Sequence, residues 1–102
     1  MELSITTRDG VEGRTTLVLV GSVDLITRTE LVETGRRILM EGRNLDLDML
    51  EVDFIDSTGI GALVDLHNVA KAHGTQLRIP QMSTRVDRIL QVTGLAQTWA
   101  VA

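Results

Sequence analysis

The chain has no cysteine and no tyrosine, a single proline, and only two aromatic residues in 102, Phe54 and Trp99. Without thiols there is no disulfide, no thiolate zinc site, no cysteine nucleophile and no regulation by thiol oxidation. Two aromatics supply no stacking platform for single-stranded nucleic acid. Ten basic residues against fourteen acidic ones give a net charge of −4. No Lys/Arg cluster forms the footprint that phosphate-backbone binding needs, so nucleic acid is not an expected partner. No uninterrupted apolar run approaches the roughly 20 residues required to cross a bilayer, and Met1 to Thr7 alternates apolar and polar residues without the basic start of a signal peptide. A soluble domain in the cytoplasm, independent of the membrane, is the expectation.

With 43% apolar residues, the 102-residue chain is long enough to bury one core without staples, and a single domain over residues 1–102 is expected. Leu3, Ile5 and Thr7 alternate with polar residues, Asp9-Gly10 and Glu12-Gly13 signal a turn, and Thr15 to Val20 resumes a β-rich run. This predicts an antiparallel pair, with Gly21 and Ser22 ending the second strand. Thr27 and Glu30 have capping-box spacing, and Leu31, Val32, Gly35, Ile38 and Leu39 recur at helical intervals, predicting a helix over 27–41 that stops at Gly42.

Leu45, Leu47 and Met49 alternate with Asp46 and Asp48, as in a strand with one face in the core and the other open or partly covered. A second helix follows Ser57, with Ile60, Leu63, Val64, His67 and Ala70 on one stripe and Gly74 as its stop. Leu77 and Ile79 form a short strand ended by Pro80, and Ser83 or Thr84 caps a third helix that buries Val86, Ile89 and Leu90 and stops at Gly94. A last edge strand is expected near Trp99 to Val101. Two strand-helix-strand units demand parallel neighbours, so the fold is α/β: a mixed sheet of four to five strands with helices mainly on one face.

Chemistry concentrates at Val52-Asp53-Phe54-Ile55-Asp56-Ser57-Thr58-Gly59-Ile60-Gly61, where strand gives way to helix. Backbone N–H groups at a helix start lack partners within it, and the dipole there favours negative charge, so the Ser57 hydroxyl is well placed to become a phosphate. Asp53 and Asp56 would then repel it, so modified and unmodified surfaces differ strongly. The same residues also suit an ordinary capped helix start with no modification. No Walker loop is present, and Gly59-Ile60-Gly61 lacks the third glycine of the dinucleotide motif. Ser57, with His67 or His73 and Asp65, is a weak hydrolase candidate because the nucleophile elbow is missing. The acidic set Asp46, Asp48, Asp53 and Asp56 would suit Mg²⁺, although a solvated acidic edge accounts for it more simply. Asp24 either caps a loop or meets a partner.

The stretch 52–61 resembles the signature of the STAS domain, specifically of bacterial anti-sigma factor antagonists. Gly21-Ser22-Val23-Asp24 is similar to the Gly-Glu-Leu/Ile-Asp that follows the second strand in that family, with Ser22 in place of the acidic residue. Leu45 to Asp48 and Arg85 to Leu95 resemble its central strand and its third helix with the closing Thr-Gly-Leu. The resemblance implies a regulatory binding protein rather than an enzyme, with no cofactor and no metal of its own. Ser57 would be phosphorylated by a partner that is both serine kinase and anti-sigma factor, and reset by a phosphoserine phosphatase. The unphosphorylated form would bind that partner and free the sigma factor. The implied partner surface is Asp24, Asp53, Asp56, Ser57, Thr58, Gly59 and Ile60. The alternative is a STAS docking subunit of a transporter or signalling assembly that never uses the serine. The free protein is expected to be a monomer.

Overall fold

The computed structural model describes residues 2–10 and 12–99. Alternation at the start of the chain builds β1 (Leu3–Asp9), which pairs antiparallel with β2 (Arg14–Val23) from Leu3 opposite Gly21 to Asp9 opposite Thr15. The chain then crosses over through α1 (Arg28–Met40) to β3 (Asn44–Ile55), parallel to β2, and through α2 (Ser57–Ala72) to β4 (Leu77–Met82), parallel to β3. The last helix, α3 (Thr84–Val92), follows directly. The sheet order is β1-β2-β3-β4, the mixed α/β arrangement expected, with four strands.

β3 organises the core. Leu45, Leu47, Met49 and Val52 have no exposed surface and Ile55 almost none. The step from every second to every third residue is made by irregularities in the pairing with β2, between Val18 and Val20 and between Gly21 and Ser22. Each irregularity adds a residue to β3 and keeps the next apolar side chain on the same face. Leu31 and Leu39 of α1, Leu63 and Leu66 of α2, and Val86 and Leu90 of α3 all join this one cluster. Burying each such side chain contributes about 1.5–3 kcal/mol. The α1–α2 contact is close because position 35 is glycine: a Cβ there would stand 2.9 Å from Leu66 Cδ2.

The other sheet face carries charged side chains. Asp46 is buried, yet its carboxylate accepts from Arg14 Nη1 at 2.7 Å and from Arg78 Nε and Nη2 at 3.0 Å each. Burial pushes the Asp46 pKa up, but hydrogen bonds from Arg78 and Arg14 outweigh it and leave the carboxyl below its usual range. Arg8 approaches Asp48 at 4.0 Å on the same face.

Four expectations need correction. β2 does not stop at Gly21 and Ser22 but runs to Val23, because the irregular pairing and the positive φ of Gly21 (118°) carry it onward. Pro80 does not terminate β4, which continues to Met82. Pro80 sits on an edge strand where the register against β3 shifts, a position that needs no backbone donor. The capping box is absent, since the Thr27 side chain makes no cap bond. Its hydroxyl instead donates to Ser22 O at 2.7 Å and accepts from Asp24 N at 3.0 Å. Finally, of the strand expected near Trp99 to Val101, Trp99 lies in a turn, buried and with its ring edge-on to His67 at 5.7 Å, while Ala100 and Val101 lie outside the described residues.

Candidate functional site

Because β2 and β3 are parallel neighbours with Val23 opposite Ile55, the loop leaving β2 and the turn that opens α2 emerge side by side. Asp56 N donates to Val23 O at 3.4 Å across that junction. Asp56 itself is extended and caps α2: its carboxylate accepts from Gly59 N at 3.0 Å and from the Thr58 hydroxyl at 2.6 Å. The Thr58 hydroxyl first, then the Gly59 N–H, hold the Asp56 carboxyl below its ordinary value.

Two adjacent hydroxyls thus have different fates. Thr58 is half-buried and committed to Asp56, whereas Ser57, the first residue of α2, is exposed. Gly59 is what lets α2 begin so close to the sheet. A Cβ at position 59 would fall on the carbonyl oxygen of Val23 and stand 2.7 Å from Ile55 Cγ1. Ile60 is also buried and belongs to the core cluster. Gly59 and Ile60 therefore support the turn from beneath, while Ser57 and Asp53 lie on the exposed surface.

The neighbouring loop is equally ordered. Asp24 accepts from Ile26 N and Thr27 N at 3.0 Å each, folding the chain between β2 and α1 into an Asx-type turn. The Thr27 N–H, more than that of Ile26, lowers the Asp24 pKa despite an opposing desolvation. Ser22 is buried, and its hydroxyl donates to Asp53 Oδ1 at 3.4 Å, joining the two strand ends below the site. The turn pushes Leu25 and Ile26 outward, 68% and 82% exposed. Sequence reasoning missed this apolar pair, because its exposure follows from the Asp24 turn rather than from any hydrophobic period. Arg28, at the start of α1, reaches across to α2: Nε donates to Thr58 O at 3.3 Å and Nη2 to Asp65 Oδ2 at 2.8 Å.

The other candidate chemistries are not assembled. Asp46 lies seven residues from Asp53 along β3, on the order of 20 Å at strand rise, and is held by two arginines. His67 is ten residues along α2 from Ser57, about 15 Å at helical rise, and meets Trp99 rather than the serine. Among the described residues no helix is long and apolar enough to span a membrane.

Comparison with known proteins shows relatives of this fold. An anti-sigma-B factor antagonist of Bacillus subtilis is 29% identical over 77 residues, 76% of this chain and 71% of that protein. The structure of the anti-sigma factor antagonist SpoIIAA in its unphosphorylated form superposes with a TM-score of 0.81 at 16% identity, covering 97% of this chain and 88% of that one. The phosphorylated form of SpoIIAA from Bacillus superposes at 0.76 with 15% identity, over 97% and 91% of the two chains. The STAS domain profile matches residues 2–100, and the chain belongs to the STAS domain family.

Proposed function

We propose that this protein is an anti-sigma factor antagonist whose partner is a serine-kinase anti-sigma factor, and that phosphorylation of Ser57 switches the interaction off. The observation that carries the reading is the exposed Ser57 hydroxyl at the first residue of α2, directly after the ionised Asp56 cap, with exposed Asp53 near the end of β3. The names of the relatives support the antagonist role. The partner surface centres on Ser57, with Asp24, Asp53, Asp56 and Thr58 around it and Gly59 and Ile60 shaping the turn below; Leu25 and Ile26 supply apolar contact beside it.

The kinase transfers the γ-phosphoryl group of ATP to Ser57 Oγ, which loses its proton, and a phosphoserine phosphatase later removes the group by hydrolysis. This chain is substrate and ligand, with ATP and Mg²⁺ bound on the kinase, in the cytoplasm where ATP is available. A phosphoserine adds about −1.5 to −2 charges next to two carboxylates, so a partner surface fitted to a neutral hydroxyl meets bulk and repulsion.

Calorimetry with the purified kinase tests the switch. Ser57→Ala is expected to bind and to take up no phosphate from ATP. Ser57→Asp is expected to bind at least tenfold more weakly, a difference of about 1.4 kcal/mol. Equal binding by Ser57→Asp overturns the reading and favours a STAS docking role that does not use the serine.

A further inference from the structure

A phosphate on Ser57 joins an end of the fold that already carries several carboxylates. Asp53 lies on β3, Asp56 caps α2, Asp24 orders the neighbouring loop, and Asp65 stands two turns along α2. The donors that would ordinarily receive an anion at a helix start are partly in use, since the Asp56 carboxylate already takes the Gly59 N–H and the Thr58 hydroxyl. Favourable charge beyond that of the helix start is at hand, because the structure places a guanidinium against the same turn. Arg28 is anchored through Nε on the carbonyl of Thr58, the residue next to Ser57, while its Nη2 rests on Asp65. The Arg28–Asp65 pair is only lightly held, with the Asp65 side chain 55% exposed. A phosphate dianion accepts a guanidinium fork in bidentate fashion and outcompetes a single exposed carboxylate contact.

We propose that Arg28 is the internal counter-ion of phosphorylated Ser57, turning from Asp65 to the phosphate while remaining on the first turn of α2. This deepens the proposed switch and rests on it for its biological use. Phosphorylation then changes the surface at two places: a dianion appears at position 57, and Asp65 is left without its cation.

The test is independent of any kinase. Phosphoserine is incorporated at position 57 during protein synthesis, and its second ionisation is followed by the ³¹P chemical shift against pH. A neighbouring cation favours the dianion, so in the otherwise unchanged protein this pKa is expected about half a unit or more below that of the Arg28→Gln form. Arg28→Lys is expected to fall between them, and Asp65→Asn, which frees Arg28, to match the unchanged protein or lie lower. A merely structural role for Arg28 would move the melting temperature of the unphosphorylated protein but not this pKa. Identical pKa values with and without Arg28 overturn the inference. If Arg28→Gln does not fold, a higher phosphate pKa in Asp65→Asn than in the unchanged protein overturns it equally. Neither result bears on whether Ser57→Asp binds the kinase, so the two proposals fail separately.

Discussion

A methyl group at position 59 would occupy the space of the Val23 carbonyl oxygen. That oxygen belongs to the backbone of β2, and it accepts from Asp56 N across the junction, so it cannot swing aside as the end of a long side chain would. Relief would require the first turn of α2 to lift from the sheet, carrying Ser57 and the Asp56 cap with it. Gly59→Ala is therefore expected to cost about 1–3 kcal/mol, the usual penalty for overpacking a close contact, read as a shift of the denaturation midpoint at unchanged slope. Gly61 provides the control: it lies in the same helix, but a Cβ there meets nothing within 4 Å. Gly61→Ala should be neutral or slightly stabilising, because alanine is the better helix former. The contrast separates a steric requirement at one glycine from a general dislike of substitution in this turn.

At the scale of the element, α2 owes its start to one carboxylate. The Asp56 pKa is held down by the Thr58 hydroxyl and the Gly59 N–H, so the ionised form is favoured in the folded state over the unfolded one. Its contribution is fully present above the unfolded carboxylate value near about 4 and is lost as pH falls through the lower folded value. Asparagine keeps the cap oxygen but does not titrate. Asp56→Asn is thus expected to change stability at neutral pH by less than about 1 kcal/mol and to flatten the loss of stability below about pH 4, measured by urea denaturation across that range. Much of this element was legible in the sequence. The apolar stripe from Ile60 to Ala70, the glycine stops and the Asp-Ser start fix α2 and its exposed serine, and the same spacing located α1 and α3. What was not legible depended on partners outside the segment being read, some of them only a few residues away. Thr27 abandons its local cap for the Ser22 carbonyl because the Asp24 turn brings the two together. Pro80 is tolerated because β4 is an edge, and Gly21 continues a strand because β3 carries extra residues opposite it. Pattern reading counts intervals along one segment and has no access to compensation supplied from outside it.

Across the whole molecule, the charges that hold the fold and the charges that would serve the switch occupy opposite ends of β3. Asp46, near its start, binds Arg14 and Arg78 on the sheet face away from the helices, while Asp53 and Asp56 stand at its finish beside Ser57. The molecule is about 30 Å in its longest dimension, and exposed charges separated by more than roughly 8–10 Å are largely screened at physiological salt. The two clusters should therefore act independently. Removing Asp46 leaves half-buried Arg14 without its 2.7 Å partner. Since Arg78 is half exposed and can return to water, the cost of Asp46→Ala is expected at about 1–3 kcal/mol, below that of breaking a fully buried pair. For a chain of this size that lowers the melting temperature by roughly 4–8 °C per kcal/mol. Below the transition, the folded fraction should bind the kinase with unchanged affinity. Ser57→Asp should do the reverse, because a carboxylate at a helix start is tolerated or favoured by about 0.3–1 kcal/mol: its melting temperature stays near that of the unchanged protein while binding is lost. Melting followed by circular dichroism and titration of each variant with the kinase give the two readouts. Combining both substitutions should lower stability and abolish binding additively, as for sites without shared partners. A departure from additivity larger than about 0.5 kcal/mol in the stability arm would show that the arginine-bound aspartate and the serine end of β3 communicate through the strand.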